Sequence, residues 1–326
     1  MSVLDQLNPD YLDEAIHPIF SPADFYIDTP MIASFEETVT RWLWSGQTGG
    51  SICGDARSGK TRAAEITKTT LKSRSGESVP TFHVTISARD VKTITSILRR
   101  VAFTLGESVK DRDNADIIST KIVWRLAEEA HKISTKQVVL LVDEYQRMTL
   151  QQFEPFAELY DRLRDLRANL LTIFIGNANE CSSILESITS SSYDHIRGRF
   201  FINRSFFQGI SNVENVRYCL EQYDSVTQLP GSDLTTTQYF MPQAYEDGFR
   251  LSHLAEPIWS VFKENYMRSL HLTSWGMQYF IVTINTLLLD HLSKRIDTQI
   301  SDRDEIIMRS IRESGIVSGQ VTMENA

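Results

Sequence analysis

Hydrophobic residues fall into two textures along the chain. Before about residue 210, short apolar runs alternate with segments whose apolar positions recur every three or four residues. Val138-Val139-Leu140-Leu141-Val142 and Leu170-Leu171-Thr172-Ile173-Phe174-Ile175 are unbroken or nearly so, the pattern of strands buried on both faces of a parallel sheet. Residues 80–86 alternate and read as a further strand, residues 50–53 close a short one, and Phe200-Phe201-Ile202 reads as the last. Between them lie helical patterns at 31–44 (Ile32, Phe35, Val39, Trp42), 61–71, 91–105, 117–133 and 150–166. Strands alternating with helices imply an α/β core, a parallel sheet flanked by helices. Beyond residue 210 the strand signal fades, and 212–224, 234–246, 250–269, 274–294 and 302–313 all read as helices. The expected organisation is therefore a lead-in over 1–24, an α/β core over 25–210, an all-helical domain over 211–313 and a mobile tail over 314–326. No internal repeat is visible.

Within the first texture, Gly54-Asp55-Ala56-Arg57-Ser58-Gly59-Lys60-Thr61 satisfies the phosphate-loop pattern G-x-x-x-x-G-K-[ST]. Such glycines let the backbone curl so that its N–H groups cradle phosphates; the lysine reaches the β- and γ-phosphates, and the threonine hydroxyl serves Mg²⁺. The apolar run 138–142 ends in Asp143-Glu144. An acid at that strand end is placed to hold the metal, and its neighbour to polarise the attacking water. Asp143 is thus the expected metal ligand and Glu144 the general base. Asn177, after the next strand, is positioned to touch the γ-phosphate or the water, although asparagine there also suits a turn. Arg197-Gly198-Arg199 offers an arginine finger for a neighbouring subunit's site, Arg199 first and Arg197 second, or a buried ion pair. Gly248-Phe249-Arg250 places a guanidinium at a helix start in the second domain.

Composition changes this picture little. With 326 residues, 41% hydrophobic and 23% charged, the chain reads as an ordinary globular protein with more than one core. Cys53, Cys181 and Cys219 show no metal-ligand spacing, which suits a reducing cytoplasm. The acidic start (Asp5, Asp10, Asp13, Glu14) is unlike a signal peptide. The uncharged stretch 271–289 holds His271, Thr273, Ser274, Gln278, Thr283 and Asn285 and is too polar for a membrane span. A net charge of −9 argues against coating nucleic acid as a monomer. Residues 89–125 carry a weak local basic excess, for which ordinary solvated helix faces are an equal explanation.

The order of phosphate loop, acidic strand end, polar strand end, arginine pair and helical domain opening on G-x-R resembles the AAA+ ATPases. Within them the chain is similar to the TnsC and TniB regulators of bacterial transposons, including CRISPR-associated ones. The likeness is carried by Tyr26–Pro30 (YIDTP), GDARSGKT, VVLLVDEYQRM, TIFIGNANE, DGFRLSHLAEPIW and LTSWGMQYFIVTINTLL. It implies a C-terminal helical lid and an ATP site made by Tyr26, Gly54, Asp55, Ala56, Arg57, Ser58, Gly59, Lys60, Thr61 and Arg62. Thr61 and Asp143 would hold Mg²⁺, with Glu144 as base, Asn177 as γ-phosphate sensor, Arg199 or Arg197 as finger and Arg250 as lid sensor. It further implies a cytoplasmic bacterial protein that forms rings or filaments on duplex DNA through backbone contacts. Such assemblies bridge a TniQ-type target selector, with or without an RNA-guided effector, to the transposase. Arg89, Lys92 and Lys121 are the expected DNA contacts. A ring repeats each of them once per subunit, so weak phosphate contacts add along the duplex. Two other readings compete. One is a replication initiator or helicase loader, against which stands the lack of a terminal β-hairpin pattern. The other is a nucleotide-locked signalling scaffold, against which stands the intact acidic pair.

Overall fold

The computed structural model describes residues 17–21, 25–189, 193–227, 232–293 and 302–318. They form two compact units, Met31–Gly209 and a second made of Met1–Pro30 with Ile210–Ala326.

In the first unit β1 (Gly49–Gly54), β2 (Thr81–Thr85), β3 (Gln137–Asp143), β4 (Asn169–Asn177) and β5 (Arg204–Phe207) make one sheet, ordered β2-β3-β4-β1-β5. Every pairing is parallel. The two longest apolar runs occupy the inner strands β3 and β4. Val138 to Val142 are fully buried, each side chain contributing about 1.5–3 kcal/mol of burial. Helices α1 (Pro30–Trp44), α2 (Lys60–Thr70), α3 (Ile94–Thr104), α4 (Ala115–Ala130), α5 (Glu154–Asp165), α6 (Ala178–Ile188) and the short α7 (Asp194–Ile196) complete the unit. Caps rather than apolar period decide where α3 and α4 start. Thr93 accepts from the Ser96 amide and Asn114 from the Ile117 amide.

Phe174 of β4 is the hub of an aromatic core, its ring 5.0–6.0 Å from those of Tyr145, Phe153, Phe156, Phe200 and Phe201. This core displaces the last expected strand. Phe200 and Phe201 both enter it while Ile202 is exposed, a placement that a helical turn supplies and an alternating edge strand does not. Residues Arg197–Phe201 accordingly form a π-helical turn, and the strand follows at Arg204–Phe207.

The second unit holds α8 (Val213–Ser225), α9 (Thr236–Phe240), α10 (Pro242–Glu246), α11 (Ala255–Phe262), α12 (Met277–Thr286) and α13 (Arg303–Glu313). Pro242 divides the expected helix 234–246 in two, since proline cannot continue the hydrogen-bond ladder. A buried carboxylate ties the bundle. Asp224 Oδ1 accepts from Thr237 Oγ1 (2.7 Å) and the Leu251 amide (2.8 Å), and Oδ2 from the Ser252 amide (2.9 Å). Trp275 stacks on Phe262 with ring centres 3.9 Å apart. Phe25 packs on Tyr223 at 5.4 Å, so residues 25–30 are described with this unit. Ile316, which follows the turn after α13, is buried, whereas residues 1–16 and 22–24 of the lead-in and 319–326 of the tail lie outside the described residues. Among the described residues no strand follows β5, and no helix is long and apolar enough to cross a membrane.

Candidate nucleotide site

The phosphate loop joins β1 to α2 where the C-terminal ends of β1, β3 and β4 come together. Its two glycines serve different ends. Gly59 takes φ +107°, a left-handed turn that lets α2 begin at Lys60. Gly54 is required by crowding instead, because a Cβ there would lie 2.2 Å from the Phe207 carbonyl of β5. Arg57 (φ 60°) and Glu144 (φ 63°) are also left-handed without being glycine, so backbone strain gathers on both sides of the site.

Lys60 Nζ donates to the carbonyls of Gly54 (2.9 Å) and Asp55 (2.6 Å), which hold it folded over the loop. Burial lowers its pKa, against the opposing pull of Asp143, Glu144 and Asp55. Thr61 Oγ1 donates to Asp143 Oδ2 at 2.7 Å, bringing the start of α2 to the end of β3. Asp143 is 1% exposed, and burial pushes its carboxyl up. Contacts from His83, the Thr61 hydroxyl and the Glu144 amide outweigh burial and hold it below the usual carboxylate range. It is therefore a carboxylate at neutral pH.

These donors fit Mg²⁺. The Thr61 hydroxyl and the Asp143 carboxylate are hard oxygens converging on one point, and Mg²⁺ is held by one or two such groups together with substrate phosphates. Among the described residues no cluster of three or more His, Cys, Asp or Glu offers a cage made by protein alone.

Glu144 Oε2 accepts from Gln146 Nε2 (2.7 Å) and pairs with Arg147 Nη2 (3.0 Å). Asn177 sits beside this group, but its side chain caps α6. Its Oδ1 accepts from the Asn179 amide (3.2 Å) and its Nδ2 donates to Glu180 (2.9 Å). Arg62, at the start of α2, pairs with Glu65 at 3.0 Å.

Each arginine of the pair is already in an ion pair. Arg199 forks onto Asp161 of α5 through Nη1 (2.9 Å) and Nη2 (3.2 Å), and Nη1 also donates to the Ala157 carbonyl. Arg197 pairs with Asp194 at 2.8 Å. In the helical unit Arg250 donates to the carbonyls of Tyr245 and Phe249 and lies 3.6 Å over the Tyr245 ring, while Tyr26 is 46% exposed.

The expected DNA contacts divide. Lys121 is tied to Asp113 (2.7 Å) and the Ser108 carbonyl (2.8 Å), at the rim of an open hollow of about 480 Å³ beside Trp124. Arg89 and Lys92 stand exposed on the loop after β2, and among the described residues neither side chain is in an ion pair.

Three residues near the acids escaped the sequence reading. His83 Nε2 of β2 lies 3.4 Å from Asp143 Oδ2, while Gln146 and Arg147 grip Glu144. Alternation in β2 puts His83 and Thr85 on one face, but only the register Thr85↔Asp143 brings them to the acid. The fold also unites two distant cysteines. The Cys53 sulfur lies 3.1 Å from the Tyr145 hydroxyl, and the neighbouring Cys181 thiol together with that hydroxyl lowers the Cys53 thiol against its burial.

Residues 43–185 match the AAA domain family. No curated protein matches the chain. Among solved structures, Cdc6p from Pyrobaculum aerophilum is similar at 14% identity and TM-score 0.44, over 91% of this chain and 89% of that one. The Orc1 protein of Aeropyrum pernix, in a complex with DNA, is similar at 13% and 0.45, over 90% and 68%. PCH-2 of C. elegans is similar at 12% and 0.38, over 87% and 66%. Likenesses this remote carry nothing about function. The fold itself is an AAA+ one, a five-stranded parallel sheet flanked by helices and followed by a helical unit.

Proposed function

We propose that this chain hydrolyses ATP with Mg²⁺ and uses the nucleotide as an assembly switch on duplex DNA, a reading supported by the match of residues 43–185 to the AAA domain family. The observation that carries the reading is the 2.7 Å contact between Thr61 and Asp143, with Glu144 next in the chain. In this reading the loop amides of 54–61 and Lys60 hold the phosphates. Thr61 and Asp143 hold Mg²⁺, which when bound neutralises phosphate charge. Glu144 takes the proton of the attacking water. Asn177 senses the γ-phosphate once its side chain leaves the cap of α6. Arg197 or Arg199 supplies charge to a neighbouring subunit's site, and the bidentate hold of Asp161 favours Arg197. The sequence resemblance would add Tyr26, Arg62 and Arg250 as nucleotide contacts.

Assembly on DNA, and a role in transposition between a TniQ-type selector and a transposase, rest on the sequence resemblance described above. Arg89 and Lys92 support the DNA part, being exposed cations on one loop, and Lys121 supports it less. Phosphate release should be measured with and without random-sequence duplex DNA, for the natural protein and for Glu144→Gln. The reading expects DNA-stimulated turnover that falls by about 10²–10⁴-fold in the variant while ATP binding persists. Unchanged turnover in Glu144→Gln would remove Glu144 as base.

A further inference from the structure

The side chain of Gln146 joins two parts of the site that the sequence treats separately. Its Nε2 donates to Glu144 Oε2 at 2.7 Å, and its Oε1 accepts from the Asn177 amide at 3.3 Å. The chemistry of the partners fixes this orientation. A carboxylate only accepts and a backbone N–H only donates, so the amide cannot be turned over without losing both bonds. Neighbouring atoms hold it as well. A Cβ on Gly176 would lie 2.7 Å from Gln146 Oε1, 2.6 Å from Cys181 Sγ and 2.9 Å from the Tyr145 ring, so β4 carries a glycine where this side chain crosses it.

We propose that Gln146 is a positioning residue for ATP hydrolysis, setting the Glu144 carboxylate against the end of β4 so that the base is aimed before substrate arrives. The inference rests on the reading of Glu144 as the base. Glu144 lies in a left-handed turn and is about one-third exposed, so its backbone alone leaves the carboxylate room to swing. Arg147 Nη2 pairs with the same Oε2 at 3.0 Å, and its Nη1 donates to the Ile86 carbonyl at the end of β2 (2.8 Å). One oxygen of the carboxylate is therefore pinned from two strand ends, from β4 through Gln146 and from β2 through Arg147. Oε1 is then the oxygen that meets the water. Because Gln146 reaches the Asn177 backbone amide, a shift of that strand end toward a γ-phosphate passes to the base through a single side chain.

The test compares Gln146→Ala and Gln146→Met with Glu144→Gln, measuring kcat, KM and the affinity for a fluorescent ATP analogue. Methionine keeps the length and volume of glutamine but makes neither bond, so it separates positioning from space filling. The expected result is a kcat about 10- to 100-fold lower in both Gln146 variants, the loss expected when a reacting group is misplaced by about 1 Å. KM and analogue affinity should stay within about twofold, and thermal melting should be unchanged in Gln146→Met. Recovery of the natural kcat by Gln146→Met would show that Gln146 only fills space, and would overturn the proposal. Natural kcat in both Gln146 variants, with turnover lost in Glu144→Gln, would overturn it too while leaving the ATPase reading intact. Full turnover in Glu144→Gln would instead bring down the assignment of the base, and with it the role of Gln146.

Discussion

The phosphate loop and the arginine segment 197–199 are both short motifs, yet the folded chain treats them in opposite ways. The loop converges with residues far away in sequence, Thr61 on Asp143 and Lys60 toward the acidic pair. The arginines each end in an ion pair outside the site instead, Arg197 on Asp194 three residues before it and Arg199 on Asp161 of α5, 38 residues before it. Gly59 and the parallel β1–β4–β3 register hold the loop in one subunit. On the proposed reading, the loop is a motif complete within one chain, and the carboxylates Asp194 and Asp161 would be the resting contacts of arginines that serve another subunit.

That contrast can be broken most directly at the loop. Lys60→Ala should weaken ATP binding by about tenfold to a hundredfold, since hydrogen bonds to charged groups are worth about 1.5–3 kcal/mol. Isothermal titration checks it, and natural affinity would mean that the loop does not hold phosphate. Thr61→Val keeps the shape and removes the hydroxyl. It should raise the Mg²⁺ concentration for half-maximal turnover by about tenfold, from the loss of one ligand of about that worth.

At the arginines the expected effects are smaller. Arg199→Ala and Asp161→Ala should each lower stability by about 1 kcal/mol or less, because the pair is partly exposed. Chemical denaturation reads this, and the two losses should not add. If Arg197→Ala left turnover of the assembled protein untouched while Arg199→Ala abolished it, the preference for Arg197 would be reversed. On the DNA side, Arg89→Ala and Lys92→Ala should each flatten the salt dependence of duplex binding by about one unit of slope. Lys121→Ala should leave that slope unchanged, because Lys121 is held by Asp113. The smallest effect concerns the thiols. Cys53, whose thiol is lowered by the neighbouring Cys181 and Tyr145, should be alkylated by iodoacetamide at neutral pH, and less as the pH is lowered. Cys219, pushed up to about 12 by burial, should resist throughout.

Much of the fold was legible because its signals are local. Two buried runs of five and six residues announce β3 and β4, and the loop pattern announces β1 and α2. The last strand was misplaced because Phe200-Phe201-Ile202 is as apolar as a strand. What it serves is the ring cluster about Phe174, which no local pattern reveals. The chemistry divides in the same way. The meeting of Thr61 with Asp143 could be read from the motif and the strand end, and the fold brings the two to 2.7 Å. His83 and Gln146 could not, because one depends on β2 lying beside β3 and the other on β4 lying beside it on the far side. Lys121 looked like any exposed helical lysine until Asp113 folded against it.

In the proposed function, nucleotide state governs assembly on DNA. Sedimentation velocity of the protein with a random-sequence duplex, in Mg-ATP and then in Mg-ADP, tests it most directly. A fast-sedimenting complex that forms with ATP and DNA together, and dissolves in ADP, is the predicted result. The same sedimentation profile in both nucleotides, with or without DNA, would contradict it.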